Sequence, residues 1–170
     1  MFFIRVSNAA DVPRIAGIRV DTRLVAYRGQ DSEALLDAQD VERREAFWRE
    51  RLAKSSSSVF VIETDNEIVG FCDLISSRDK GTDPKTVGEI AAIYVLPDSW
   101  RQGAGKALGY YTLERARKRG FKAVTVWVLA SSSDAMRFYE SLGFARDSTF
   151  KIETAPDGGD LHELRYRVKL

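Results

Sequence analysis

The sequence predicts a mixed α/β fold of the α+β kind, in a single domain that spans residues 1–170. Segments with a strand-like period of two alternate along the chain with segments of helical period. Hydrophobic residues make up 44% of the chain, which is enough for a packed core, and no repeat, linker or low-complexity tract divides it. A length of 170 residues lies within the usual range for one domain.

The first half of the chain predicts a strand, two helices and a hairpin. Residues 2–6 have the composition of a strand, and polar capping residues then precede Pro13, which is tolerated in the first turn of a helix. A second helix is expected at 40–54. Two β-rich runs within 59–75 surround Asp65-Asn66-Glu67, the composition of a tight antiparallel turn.

The second half predicts the remaining elements. Its strongest strand signal is the run 122–129, which is apolar on both faces as expected of a central strand covered by helices on each side. The elements expected in this half are a strand at 89–96, a helix at 102–120, the central strand at 122–129, a helix at 131–143 and a hairpin formed by 144–152 and 161–168.

Composition excludes several classes of function. The net charge is +1, from 26 basic and 25 acidic residues, so we expect no nucleic-acid partner, and the basic turn 115–119 is interpreted as a solvated helix end. Cys72 and His162 are the only residues of their kinds, which argues against a metal site and against an internal disulfide. No apolar run approaches the ~18 residues of a spanning helix, and the N-terminus lacks a signal-peptide core. We therefore expect a cytoplasmic protein without membrane contact.

The most informative segment is IYVLPDSWRQGAGKAL, in which a strand leads through a glycine-containing loop into a helix. The free N–H groups at a helix start bind oxyanions, and Gly103 and Gly105 allow close approach. The spacing does not fit a Walker-type phosphate loop, and a dinucleotide fingerprint would need glycine at Leu108. The remaining candidate for the anion is the pyrophosphate of coenzyme A.

This loop resembles the signature of the GCN5-related N-acetyltransferases. The later segment SSSDAMRFYESLGF resembles the second signature of the same family, and the order of elements is similar over nearly the whole chain. Two residues depart from the pattern: Trp100 stands where Gln or Arg is frequent, and Ser132 stands in place of the usual Asn. The resemblance implies a mixed, mostly antiparallel sheet of six to seven strands flanked by about four helices.

The resemblance also implies acetyl-CoA as cosubstrate, without a metal. The strand end is expected to be splayed, so that its backbone binds the pantetheine arm, while the loop grips the diphosphate. The residues implied in cofactor binding are Ile93, Tyr94, Val95, Arg101, Gln102, Gly103, Ala104, Gly105, Lys106 and Ser132.

Two residues are candidates for catalysis. Tyr139 lies where the family commonly has the tyrosine that protonates the leaving thiolate, and the alternative is a core aromatic residue. Glu89 lies where some members carry the glutamate that deprotonates the amine through water, and the alternative is an exposed carboxylate at a strand start. Asp73 is a weaker candidate for the base, and His162 is interpreted as a surface residue.

The predicted function is direct transfer of an acetyl group from acetyl-CoA to a primary amine. The alternative is a catalytically weak CoA-binding sensor or partner-binding module of the same fold. The acceptor is an amine on a small molecule or a protein, and a homodimer is left open. We expect the acceptor site beside Glu89, near the first two helices and the 76–88 loop. Nearby acidic side chains that could attract a cationic amine are Asp31, Glu33, Asp37 and Asp40.

Overall fold

A computed structural model describes residues 1–26, 41–54, 58–155 and 158–170. The predicted end of the first helix at 28–29 and the acidic side chains between 31 and 40 lie outside these described residues. The strands are β1 (Phe3–Val6), β2 (Ser58–Thr64), β3 (Glu67–Ser76), β4 (Val87–Val95), β5 (Ala123–Leu129), β6 (Ala145–Thr154) and β7 (Asp160–Lys169). The α-helices of the described ranges are α1 (Val12–Ala26), α2 (Val41–Ala53), α3 (Ala104–Lys118) and α4 (Ser133–Ser141).

The seven strands form one sheet in the order β1-β2-β3-β4-β5-β7-β6. β1 pairs antiparallel with β2, and β7 pairs antiparallel with both β5 and β6. β4 and β5 are parallel, and their register runs over three pairs, from Val87–Ala123 to Glu89–Thr125. The predicted fold class, a mostly antiparallel sheet with about four helices, is confirmed.

The chain divides by its contacts into two compact units. The first unit consists of Met1–Asp73 and Ala92–Leu108, and the second consists of Leu74–Ala91 and Gly109–Leu170. The prediction that the chain is a single functional domain stays a prediction.

The core of the first unit joins α1 and α2 to β2 and β3. Trp48 on α2 meets Phe71 on β3 edge to face, with ring centroids 5.0 Å apart. The buried residues of this cluster are Val12, Ile15, Ala16, Ile18, Trp48, Val59, Val61 and Phe71. The helical spacing of the α1 residues is what places them on one buried face.

Local signals in the first unit act as the sequence predicts. The Asn8 side chain accepts from the backbone N of Ala10 at 2.9 Å, and Asp11 accepts from the backbone N of Asn8 at 2.8 Å, which caps the turn before α1. In the β2–β3 hairpin, Asp65 and Asn66 have φ values of 50° and 63°. Two consecutive positive φ values are typical of the tight turn that suits a right-twisted hairpin.

In the second unit, β5 lies between β4 and β7, so its predicted central position is confirmed. Val124, Val126 and Val128 are buried, as expected of alternate residues on one face. Trp127 points to the opposite face of the strand and is only half-buried, because its neighbours there are polar. The expectation of an apolar covering on both faces is therefore wrong at this residue.

Candidate active site

The glycine loop of the first unit leads directly into α3. Gly103 has a φ of +90°, a left-handed conformation that suits glycine, and Arg101 has a φ of +59°. A Cβ at Gly103 would meet no atom within 4 Å, so the main chain is open on that side. The loop is braced by the Gln102 side chain, which donates to the backbone O of Asp98 at 2.7 Å.

The start of α3 presents the main-chain N–H groups of its first turn. The backbone N of Ala107 donates to the carbonyl O of Gly103 at 2.9 Å, which is the bond that opens the helix. The amides of residues 104–106 precede that bond, in the first turn of the helix, where main-chain N–H groups typically bind anions. Arg101 and Lys106 have exposed side chains beside these amides, so the loop fits an oxyanion such as a diphosphate.

The end of β4 is held by a residue that departs from the family pattern. Trp100 Nε1 donates to the carbonyl O of Val95 at 2.5 Å, and the hydroxyl of Thr22 lies 3.4 Å from the same oxygen. The backbone N of Leu96 donates to the carbonyl O of Val69 at 2.8 Å. Trp100 thus fixes the strand end that contains Ile93, Tyr94 and Val95, a role that the sequence did not reveal.

Glu89 lies in the second unit with its carboxylate buried and paired. Its side chain is 3% exposed, and Oε1 accepts from Arg78 Nη2 at 2.5 Å. Oε2 accepts from the backbone N of Arg78 at 3.1 Å. The Arg78 side chain is 67% exposed and lines the same cavity as Glu89. Glu89 is therefore not an exposed carboxylate, and its role as base stays a prediction.

Tyr139 and Ser132 belong to α4 and its start. Tyr139 is 9% exposed, and its ring lies 5.2 Å from that of Phe138 and 5.7 Å from that of Phe144. Ser132 is the N-cap residue of α4, yet its side chain makes no capping hydrogen bond. Its role in cofactor binding and the role of Tyr139 as acid stay predictions.

A cavity of about 470 Å³ opens in the second unit beside Glu89. Besides Glu89 and Arg78, the charged and aromatic residues that line it are Asp79, Trp127, Lys151, Glu153 and Glu163. These five residues were not predicted from the sequence, because they come from a loop and three different strands. One signal in the sequence could have indicated Trp127. Side chains alternate between the two faces of a strand, so Trp127 lies on the face of β5 opposite to Val124, Val126 and Val128.

The other candidates from the sequence do not line this cavity. Asp73 is buried and its Oδ2 accepts from Arg51 Nε at 3.0 Å, within the first unit. His162 is exposed on β7. In the basic turn, the Arg119 guanidinium lies 4.9 Å from the centre of the Phe121 ring, and Lys118 pairs with Glu114 at 2.7 Å. These contacts fit a solvated helix end.

Neither a metal-binding cluster nor a membrane-spanning helix is present among the described residues. In the ranges that the structure describes, three or more His, Cys, Asp or Glu side chains do not come together in a way that could hold a metal ion. The helices of those ranges are too short or too polar to cross a membrane.

Comparison with known proteins identifies the class. Residues 24–144 match the model of the acetyltransferase (GNAT) family, and the chain belongs to this family. An uncharacterized N-acetyltransferase from Archaeoglobus fulgidus is 32% identical over 143 residues, which cover 84% of this chain and 92% of the relative. The resemblance seen in the sequence is confirmed, and the chain is an acyltransferase.

Solved structures agree with this fold. A protein from Salmonella typhimurium, assigned as an acetyltransferase and solved with its cofactor acetyl-CoA, has a TM-score of 0.73 at 20% identity and covers 99% of this chain and 94% of its own. An N-acetyltransferase from Thermoplasma acidophilum in complex with coenzyme A has a TM-score of 0.74 at 16% identity. The match covers 100% of this chain and 99% of that protein. At these identities the likeness concerns the fold.

Proposed function

We propose that this protein transfers an acetyl group directly from acetyl-CoA to a primary amine. The observation that carries the proposal is the loop at the start of α3, where Gly103 has a φ of +90°, its main chain is open, and the first helical bond runs from the N of Ala107 to the O of Gly103. The amides of such a first turn bind a diphosphate without a side chain, and Arg101 and Lys106 add positive charge. Acetyl-CoA supplies the thioester as cosubstrate.

The reaction needs three further contributions from the chain. An oxyanion develops on the thioester oxygen, and backbone N–H groups near Val95 are proposed as its donors. The departing thiolate takes a proton, for which Tyr139 is the proposed acid. Ser132 is proposed as a polar contact for the cofactor arm, since its hydroxyl makes no bond to its own helix.

Glu89 is the proposed base, acting on the amine through water. Arg78 competes with the incoming proton for the same carboxylate, because Nη2 lies 2.5 Å from Oε1. The Arg78 side chain is 67% exposed and has room to move into solvent, but the buried carboxylate needs another cation in its place, which the ammonium of the acceptor supplies. We therefore expect Glu89 to act after the acceptor has displaced Arg78.

The same ion pair supports the alternative function, a weakly catalytic CoA-binding module. If Arg78 never leaves Glu89, the chain holds coenzyme A without turnover. Turnover of any amine by the purified protein, at rates that depend on Tyr139, argues against the alternative.

The test is to mix the protein with acetyl-CoA and a panel of primary amines, to follow free thiol, and to identify the acetylated product by mass spectrometry. Tyr139→Phe should lower kcat by about 10²- to 10⁴-fold, the usual contribution of a general acid, while the affinity for coenzyme A is kept. Tyr110→Phe is the matched control: Tyr110 is 50% exposed and donates to the carbonyl O of Ser141. Absence of thiol release with every amine, despite binding of coenzyme A, would contradict the proposal.

A further inference from the structure

The cavity of the second unit is acidic overall. Four carboxylates line it, those of Asp79, Glu89, Glu153 and Glu163, against the two cations of Arg78 and Lys151. Its volume of about 470 Å³ suits a small molecule. A cavity of this charge attracts cations and repels anionic ligands.

One wall of the cavity already holds an ammonium group. The Nζ atom of Lys151 lies 4.6 Å from the centre of the Trp127 ring, within the range of a cation–π contact. The same atom lies 2.9 Å from Glu153 Oε1 and 3.1 Å from Glu163 Oε2. Burial alone would lower the pKa of Lys151, but the hydrogen bonds to the two glutamates outweigh it and raise the pKa, so this ammonium is charged.

The aromatic part of this wall is positioned independently of Lys151. Trp127 Nε1 donates to Asp79 Oδ1 at 3.0 Å. The other oxygen of Asp79 pairs with Arg165 Nη1 at 3.1 Å, and Arg165 Nε is held by Asp147 at 2.7 Å. The hydrogen bond at Nε1 therefore holds the Trp127 ring in place. The face of the ring that contacts Lys151 would remain able to bind a cation if Lys151 moved away.

We propose that the wall formed by Trp127, Glu153 and Glu163 binds the second ammonium group of a diamine acceptor, and that Lys151 is a resident competitor for this position. The inference rests on the proposed function, because it places the reacting amine at the other end of the cavity, beside Glu89. Both nitrogens of a diamine are thus bound, one beside Glu89 and the other at the wall. A monoamine binds only beside Glu89, and Lys151 stays at the wall.

The charges around the wall support this assignment. Glu153 and Glu163 together carry two negative charges, and Lys151 compensates one of them. The wall therefore keeps one uncompensated negative charge while Lys151 is in place, and an acceptor ammonium that replaces Lys151 meets both carboxylates. The Lys151 side chain is 34% exposed on a flexible stem, so its ammonium can turn towards solvent when the acceptor arrives.

The experiment compares the diamine putrescine with the monoamine butylamine, which has the same carbon chain and one ammonium group. We expect the KM for putrescine to be lower by about 2- to 30-fold, the range of a cation–π contact between exposed and desolvated sites. Calorimetric binding of both amines to the protein, without acetyl-CoA, provides a readout that does not depend on turnover.

Three variants separate the contributions. Trp127→Leu and Glu163→Gln should each reduce the putrescine preference, and Glu163→Gln keeps the side-chain volume in case the tryptophan variant folds poorly. Lys151→Met should increase the preference, because it removes the competitor. Lys169→Met is the control for charge, since Lys169 is exposed at the end of β7 and does not line the cavity.

The outcomes distinguish this inference from the proposed function. Turnover of both amines with equal KM, or a preference unchanged in Lys151→Met, would overturn the inference and leave the acetyltransferase function standing. Binding of putrescine that is lost in Glu163→Gln, without thiol release from any amine, would support the ammonium site and contradict the proposed function.

Discussion

Gly103→Ala is the substitution that tests the cofactor loop through its backbone alone. At a φ of +90° an L-residue is strained, and the cost of about 1–2 kcal/mol corresponds to a fall in Tm of about 2–8 °C for a chain of this size. A new Cβ would meet no atom within 4 Å, so steric overlap adds nothing to this cost. We expect the loop to relax and relieve this strain, which turns its amides out of their common direction and lowers the affinity for coenzyme A by about 5- to 30-fold, the equivalent of about 1–2 kcal/mol.

Gly120→Ala provides a matched control, because Gly120 has a φ of +91° and equally open surroundings at the end of α3. The two variants should lose similar stability, measured by thermal unfolding followed by circular dichroism. Only Gly103→Ala should lose affinity for coenzyme A in calorimetric titration. Equal affinities in both variants and the parent protein would refute the assignment of the loop as the diphosphate site.

Three further predictions concern catalysis and stability. Glu89→Gln keeps the volume of the buried side chain and should lower kcat by about 10²- to 10⁴-fold with acetyl-CoA binding unchanged, as measured by thiol release and calorimetry; an unchanged kcat would exclude Glu89 as base. Gly70→Ala would bring a Cβ to 2.7 Å from the carbonyl O of Tyr94, a backbone atom, and should reduce the free energy of unfolding by about 1–3 kcal/mol in urea titration; no loss would mean that the strands can separate without cost. Hydrogen bonds from Arg5 lower the pKa of Asp11, so this carboxylate stabilises the fold above its unfolded pKa near 3.8 and ceases to do so as the pH falls through the folded value. Asp11→Asn should therefore cost about 1.5–3 kcal/mol at pH 7 and progressively less in acid, and a difference independent of pH would contradict this reasoning.

The fold was predictable wherever a signal is local. The positive φ values of Asp65 and Asn66, the capping by Asn8 and the left-handed Gly103 all follow from the properties of those residues in short segments. The central position of β5 follows from its apolar run. Local sequence chemistry is therefore sufficient to predict which segments form strands, helices and turns.

The site was less predictable, because its contacts join distant parts of the chain. Nothing near Glu89 in sequence indicates that Arg78, eleven residues away on a loop, would pair with its carboxylate. Trp127 and Lys151 meet only because β5, β7 and β6 are neighbours in the sheet. The sequence shows Trp100 only as a departure from the family pattern, whereas in the structure its indole N–H donates to the carbonyl O of Val95 at the end of β4.

The central claim is that this chain binds coenzyme A through the main chain at the start of α3. Calorimetric titration of the purified protein with coenzyme A and with acetyl-CoA tests it most directly. We predict saturable binding of both, at one site per chain, with affinity that falls in Gly103→Ala. Heat of dilution alone, with coenzyme A and with its acetyl derivative, would contradict the account.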